Sequence, residues 1–227
     1  MTHGDGVSGP FGPLGTGSVV HSFRPGRFFM AIKADYHMHS DHSGDTNVPM
    51  EQMIEQAIRL GFSDICFTEH YDPDYVYVLP EDTGMFELDL AKYREDYLRI
   101  VPQYSEKINV RFGIELGSQA QIADKLYAIA GSQPFDFIIS SSHLCHRKDT
   151  YFPYFMEGRT IKEAMREYFE SIAENIRAFD DFDVYGHLDY AIRYAPVAEQ
   201  HFEYKITDYA DLLDEIFKLL IEKGKGL

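Results

Sequence analysis

The feature that most constrains this chain is a repeated order of elements: a short apolar run, a polar cluster containing His or Glu, then an amphipathic helix. Five runs follow this order. Ile32–Tyr36, Asp64–Thr68, Val110–Ile114, Phe135–Ser140 and Asp183–Tyr185 read as short buried strands. After the first, Met50, Met53, Ile54, Ala57 and Ile58 repeat at helical spacing, with Asn47 and Pro49 as N-cap and first-turn signals and Gly61 as the stop. Leu88–Tyr104 and Gln119–Ala130 read as further helices. Thr160 and Glu163 form a capping box ahead of an apolar face that runs from Ile161 to Ile176. A last helix covers Asp208–Lys223 and stops at Gly224. Such alternation predicts an α/β fold with a parallel sheet, open or closed, and places the polar clusters at the carboxyl ends of the strands.

Composition narrows the function classes. With 37 acidic against 21 basic side chains, the 227 residues carry a formal net charge of −16, which opposes a nucleic-acid backbone. A content of 44% hydrophobic and 26% charged residues suits a single globular domain with an ample core. No apolar run reaches the roughly 18 residues of a membrane span, and the basic-then-apolar order of a signal peptide is missing. Cys66 and Cys145 cannot make a disulfide framework, so a reduced, cytoplasmic protein is expected. Composition shifts near Met30: residues 1–29 hold seven of the 17 glycines and three of the 10 prolines, without helical or strand period. They read as a disordered leader or a mis-assigned start, and residues 30–227 as the folded domain. Nothing in the sequence specifies an oligomeric state.

The clusters carry the chemistry. His37 and His39 stand two apart at a strand end, so their imidazoles point to one side and can share a divalent cation. The competing reading is a pair of surface histidines, with Asp41 and Asp45 as turn formers. Thr68-Glu69-His70-Tyr71-Asp72 follows the second strand, and Glu115 sits between Gly113 and Gly117 after the third. Ser140-Ser141-Ser142-His143, with His146 beyond it, follows the fourth, and Gly186-His187-Leu188-Asp189 the fifth. A lone strand-end His is more often a structural residue. Five successive strand ends that deliver imidazoles and carboxylates to one mouth predict a polynuclear site for Zn, Mn or Fe.

In this order DYHMHS, FTEHYD, GIELG, SSHL and GHLDY resemble the PHP (polymerase and histidinol phosphatase) superfamily. The longer stretches SSHLCHRKDTYFPYF and YGHLDYAIRY resemble its monofunctional histidinol-phosphate phosphatase branch, and the likeness covers about Ala34 to Gly226. The resemblance implies a distorted (β/α)7 TIM-like barrel holding two to three divalent metal ions. Carried over by motif, His37 and His39 bind the first metal, Glu115 bridges the first and second, and His143 and His187 complete the second. His70 and Asp45 hold the third, with Asp41 and His42 as alternatives to Asp45. The family normally continues into a further strand and a D-x-H motif, and no Asp-x-His follows residue 189 here. His201 lies in AEQHFEYK without that motif. The expectation is a barrel lacking its C-terminal strand and two ligands, unless His42, His146 or His201 takes their place.

What the resemblance implies is hydrolysis of L-histidinol phosphate, a small-molecule phosphomonoester, by metal-activated water in histidine biosynthesis. Arg147, Lys148 and Arg193 are candidates to hold the phosphate, since guanidinium donates in bidentate fashion. Asp189 is a candidate to orient His187 or to handle a leaving-group proton. Two alternatives stand beside this reading: another PHP-type phosphoesterase or nuclease, and an inert metal-binding remnant.

Overall fold

The computed structural model of the protein describes residues 32–195 and 204–227. The expected leader at residues 1–29 and His201 lie outside the described residues. Strands β1 (Ala34–Met38), β2 (Asp64–Tyr71), β3 (Asn109–Gly117) and β4 (Phe137–Ser141) lie side by side. After a small antiparallel hairpin of β5 (Leu144–Cys145) and β6 (Lys148–Asp149), β7 (Val184–Tyr185) completes the sheet in the order β1-β2-β3-β4-β7. All four pairings are parallel and the sheet is curled, as strand–helix alternation requires. The helices are α1 (Met50–Leu60), α2 (Leu90–Ile100), α3 (Ala123–Ala130), α4 (Ile161–Ala178) and α5 (Ala210–Lys223). None of the described helices is long and apolar enough to cross a membrane. Gly226 pairs in parallel with Val184, donating to the Asp183 carbonyl at 2.8 Å and accepting from the Tyr185 N–H at 3.0 Å.

Register places the site. β2 and β3 pair over eight positions, with His70 opposite Glu115 and Glu69 opposite Ile114. Residues opposite one another share a face and successive residues alternate, so His70 and Glu115 face one way, Glu69 and Ile114 the other. The second face also carries Ile65, Phe67 and Phe112, and Phe112 meets the rings of Tyr93 and Tyr97 from α2 at 4.7 and 5.0 Å. That face is the helix-covered core. Phe67, Ile65 and Ile114 are wholly buried there, each contributing about 1.5–3 kcal/mol.

Several expected boundaries move, each for a local reason. β2 runs on to Tyr71 and β3 to Gly117, so His70 and Glu115 lie inside their strands rather than after them. Polar identity does not end a strand whose backbone groups are still paired. Helix α1 begins as expected at Met50, but its N-cap is Pro49, whose carbonyl accepts from Gln52 and Met53, and not Asn47. α2 stops at Ile100 and tightens to a 3-10 turn over Val101–Tyr104, because Pro102 has no N–H for the helical ladder. Gln119–Ala130 and Asp208–Lys223 likewise each open with a 3-10 turn before α3 and α5. The Thr160–Glu163 capping box is present in both directions at the start of α4. The β5–β6 hairpin carries no Asn-Gly or Asp-Gly signal; His146 and Arg147 themselves adopt φ of 46° and 65° to make its turn.

Candidate metal centre

Glu115 is the hub. Its carboxylate is fully buried on the inner face of β3, and five imidazoles surround it. Oε2 lies 3.1 Å from His70 Nδ1, 3.2 Å from His37 Nε2 and 3.6 Å from His39 Nε2. Oε1 lies 3.1 Å from His187 Nε2 and 3.4 Å from His143 Nε2, and accepts a 2.6 Å hydrogen bond from the Ser141 hydroxyl. Each carboxylate oxygen therefore faces its own group of histidines. On the far side of His70, Asp45 Oδ2 stands 3.7 Å from Nε2. All seven metal-ligand candidates come together.

The donor set fits divalent cations. Glu115 Oε2, His70 Nδ1 and His143 Nε2 are buried atoms without a hydrogen-bond partner, and they converge on one place. An unmet buried donor or acceptor costs about 1–3 kcal/mol, so several aimed at one place need a compensating charge. Three overlapping sets place their ligand atoms within 4.8 Å: His37, His39 and Glu115; His39, Asp45 and His70; His70, Glu115 and His143. Imidazole nitrogen with carboxylate oxygen is a donor chemistry that suits Zn, Mn and Fe.

Protonation in the metal-free protein follows the same geometry. Burial alone would raise the Glu115 carboxyl, yet charge on His70 and His143, with the close approach of the His143 and His187 ring nitrogens, holds it well below the usual range. Burial opposes a charge on His143, but Asp72 and Glu115 push it well above an ordinary histidine. His70 is raised against burial by Glu115 and Asp72. His39 goes the other way: burial, then charge on His70, lowers it to about 4.

Asp72 stands in the FTEHYD motif but had no assigned role. Its Oδ1 lies 2.6 Å from His143 Nδ1 and its Oδ2 3.6 Å from His70 Nδ1. Burial would raise this carboxyl, but His143 and His70 hold it down at about 2. A Cβ at Gly117 would collide with the Asp72 carboxylate, which is why the strand carrying Glu115 ends in glycine. The signal available in sequence was an acidic residue two places beyond a ligand histidine.

Above the centre opens a cavity of about 690 Å³, with His37, His39, His70, His143 and His187 in its lining. Tyr75, Phe86, Tyr190 and Tyr194 form apolar walls, and Arg193 lines it with its guanidinium 5.2 Å from the Tyr190 ring. Other sequence candidates lie elsewhere. Arg147 and Lys148 sit in the β5–β6 hairpin outside the lining, Lys148 Nζ lying 3.9 Å from Glu167. Lys148 thus reaches toward α4, and neither residue lines the cavity above the centre. Asp189 is exposed outside the lining, at the head of the Tyr190–Tyr194 turn. Asp41 is exposed, and His42 turns to Asp96 at 3.4 Å and to the Tyr93 ring. His146 lies between Glu167 at 3.1 Å and Glu174 at 2.9 Å.

Known proteins are similar to this chain in sequence and in fold. The histidinol-phosphatase of Lactococcus lactis subsp. lactis (strain IL1403) is 32% identical over 197 residues, 86% of this chain and 70% of that protein. The histidinol-phosphatase of Bacillus subtilis (strain 168) is 26% identical over 162 residues, 64% of this chain and 60% of that one. A crystal structure of the Lactococcus lactis histidinol phosphate phosphatase, complexed with zinc, L-histidinol and phosphate, superposes with a TM-score of 0.78 at 31% identity, covering 85% of this chain and 71% of that one. A Listeria monocytogenes structure, 16% identical with a TM-score of 0.64, covers 85% of this chain and 79% of that one and shares the fold. The PHP domain matches residues 35–227, all of the sheet but Ala34 and every histidine around Glu115, and this chain belongs to the PHP domain family.

Proposed function

We propose that this protein hydrolyses L-histidinol phosphate to L-histidinol and phosphate, as a step of histidine biosynthesis. The observation that carries the reading is the buried Glu115 carboxylate ringed by five imidazoles at the floor of a cavity of about 690 Å³. The similar Lactococcus lactis enzyme, with zinc, L-histidinol and phosphate bound, supports the substrate and the metal. His37, His39 and Glu115 would hold one cation, Glu115, His143 and His187 a second, and Asp45 with His70 a third, with zinc, manganese or iron as the metal. When bound, the metals supply positive charge for the phosphoryl oxygens and lower the pKa of water.

The chain's own groups complete the chemistry. Ser141 donates to Glu115 Oε1 and so fixes the carboxylate plane. Asp72 engages His143 Nδ1 and leaves Nε2 toward the centre. Arg193 offers a bidentate donor to the phosphate. The rings of Tyr75, Phe86 and Tyr190 exclude bulk water from the organic half of the substrate. As the finer architecture we favour the (β/α)7 barrel, supported by the parallel pairing of Gly226 beside β7, with residues 30–227 as its domain. A cytoplasmic location and no nucleic-acid or membrane partner accord with the net charge of −16 and the two free buried cysteines.

Phosphate release from L-histidinol phosphate, set against a panel of nucleoside monophosphates, tests the reading. Turnover of histidinol phosphate well above the panel is expected. Turnover confined to nucleotides would make the chain another PHP phosphoesterase, and absence of both would make it a metal-binding remnant.

A further inference from the structure

Glu69 is fully buried on the helix-covered face of β2, among Ile65, Phe67 and the other apolar residues of that layer. A carboxylate there is expensive to keep unless hydrogen bonds answer it. Its hydrogen-bond partners come from the loop that follows β1. The Ser40 N–H lies 3.1 and 2.9 Å from the two oxygens, the Ser40 hydroxyl donates to Oε1 at 2.6 Å, and the Ser43 hydroxyl donates to Oε2 at 2.5 Å. Ser40 and Ser43 are themselves buried.

Ser43 links this carboxylate to the metal centre. A hydroxyl has one proton, and Ser43 spends it on Glu69. Toward everything else the Ser43 oxygen is an acceptor: it takes the His70 backbone N–H at 2.9 Å and faces His39 Nδ1 at 3.3 Å. The imidazole proton of His39 therefore belongs on Nδ1, and the bare Nε2 faces the centre, 3.6 Å from Glu115 Oε2. Were the Ser43 proton directed at His39 instead, the imidazole proton would stand on Nε2, where it would block a cation. The choice between these tautomers is made by Glu69, at the other end of the hydroxyl.

We propose that Glu69, acting through the Ser43 hydroxyl, is a positioning residue that sets the tautomer and ring orientation of His39 and so makes it a ligand. The proposal deepens the reading of the metal site and rests on it for its consequence, but not for its geometry. It also accounts for two buried serines, in a loop where composition alone predicts solvent.

Long-range proton–nitrogen correlation spectra of the 15N-labelled full chain in its metal-free state report which nitrogen of each histidine carries the proton. His39 is assigned by the loss of its signals in His39→Gln. In the wild type the His39 proton is expected on Nδ1. In Ser43→Ala that preference is lost and zinc affinity, measured by competition with a chromogenic chelator, falls about tenfold or more. Ser43→Thr, which keeps the hydroxyl, restores both, and Glu69→Gln behaves as Ser43→Ala does. A wild-type proton on Nε2, or a Ser43→Ala protein unchanged in tautomer and zinc affinity, overturns the proposal. The wild-type spectrum needs no variant, so a variant that fails to fold leaves the test standing. A wild type with the Nδ1 proton and chelator-competing zinc affinity, but without turnover of histidinol phosphate, sustains the relay and overturns the functional reading instead.

Discussion

Around Glu115, a buried carboxylate meets imidazoles that, His37 apart, are largely shielded from water, and several ligand atoms are unpartnered; around His146, the same residue types meet with their hydrogen bonds made. His146, itself exposed, gives one nitrogen to half-buried Glu167 and the other to exposed Glu174, and Glu167 is further engaged by Arg159 and by Lys148 at 3.9 Å. Cys145, His146 and Glu167 also bring ligand atoms within 4.8 Å, as close as the sets at the centre. Proximity of the right residue types is therefore not what separates the two. Burial with unmet donors is, because desolvated atoms gain from a cation what solvated and paired atoms already have.

The comparison can be broken most sharply at Glu115. Glu115→Gln keeps the shape but removes the charge that faces both histidine groups. Metal affinity should fall by more than the roughly 10–100-fold seen for outer partners of a ligand, and turnover with it. Metal content per chain after dialysis, with phosphate release on the same sample, checks this; wild-type values would remove Glu115 as the bridge. Asp72→Ala comes next. It leaves His143 without the group that holds its Nδ1, and metal affinity should drop about 10–100-fold while the circular dichroism of the fold is retained. An unchanged affinity would show that packing alone orients His143.

A smaller effect follows from protons. In the metal-free chain His143 is raised well above an ordinary histidine and His70 is raised as well, so a cation must compete with protons for them. Metal affinity should rise with pH by up to about tenfold per unit for each proton displaced, levelling off above the raised values. Calorimetry in buffers of different ionisation enthalpy reads the protons released, and release of none contradicts the assignment. For the metal-free fold the signs differ by group. The His143 contribution is complete below about pH 6.5 and is lost as pH rises through its raised value. The Asp72 contribution is complete above about pH 4 and is lost as pH falls toward about 2. The smallest effect is expected at the other cluster. His146→Gln should leave metal content unchanged and cost no more than about 1 kcal/mol, as exposed ion pairs do. Loss of a bound metal in that variant would erase the distinction drawn here.

Sequence made the centre more legible than its surroundings. His37, His39, His70, Glu115, His143 and His187 could be read because period-2 strands ending in His or Glu leave few ways to arrange them. Asp45 could be reached only through the resemblance, since an acidic residue in a Gly-Asp turn has a local explanation as well. Asp72 and Glu69 went unassigned because their roles depend on register: one reaches His143 across 71 residues, the other reaches Ser40 across 29. Arg147 and Lys148 were candidate phosphate ligands by charge, but they sit in a hairpin, turned by two positive φ values, outside the lining of the cavity. Strand ends were misplaced for the same kind of reason. Pairing partners, which lie far off in sequence, decide where β2 and β3 stop.

The most direct measurement is an anomalous difference map at the zinc edge, from crystals of the full chain grown with zinc. The account predicts peaks on both sides of the Glu115 carboxylate, one toward His37 and His39 and one toward His143 and His187, with nothing at His146. Zinc beside His146 and Glu167, with none at Glu115, would contradict it.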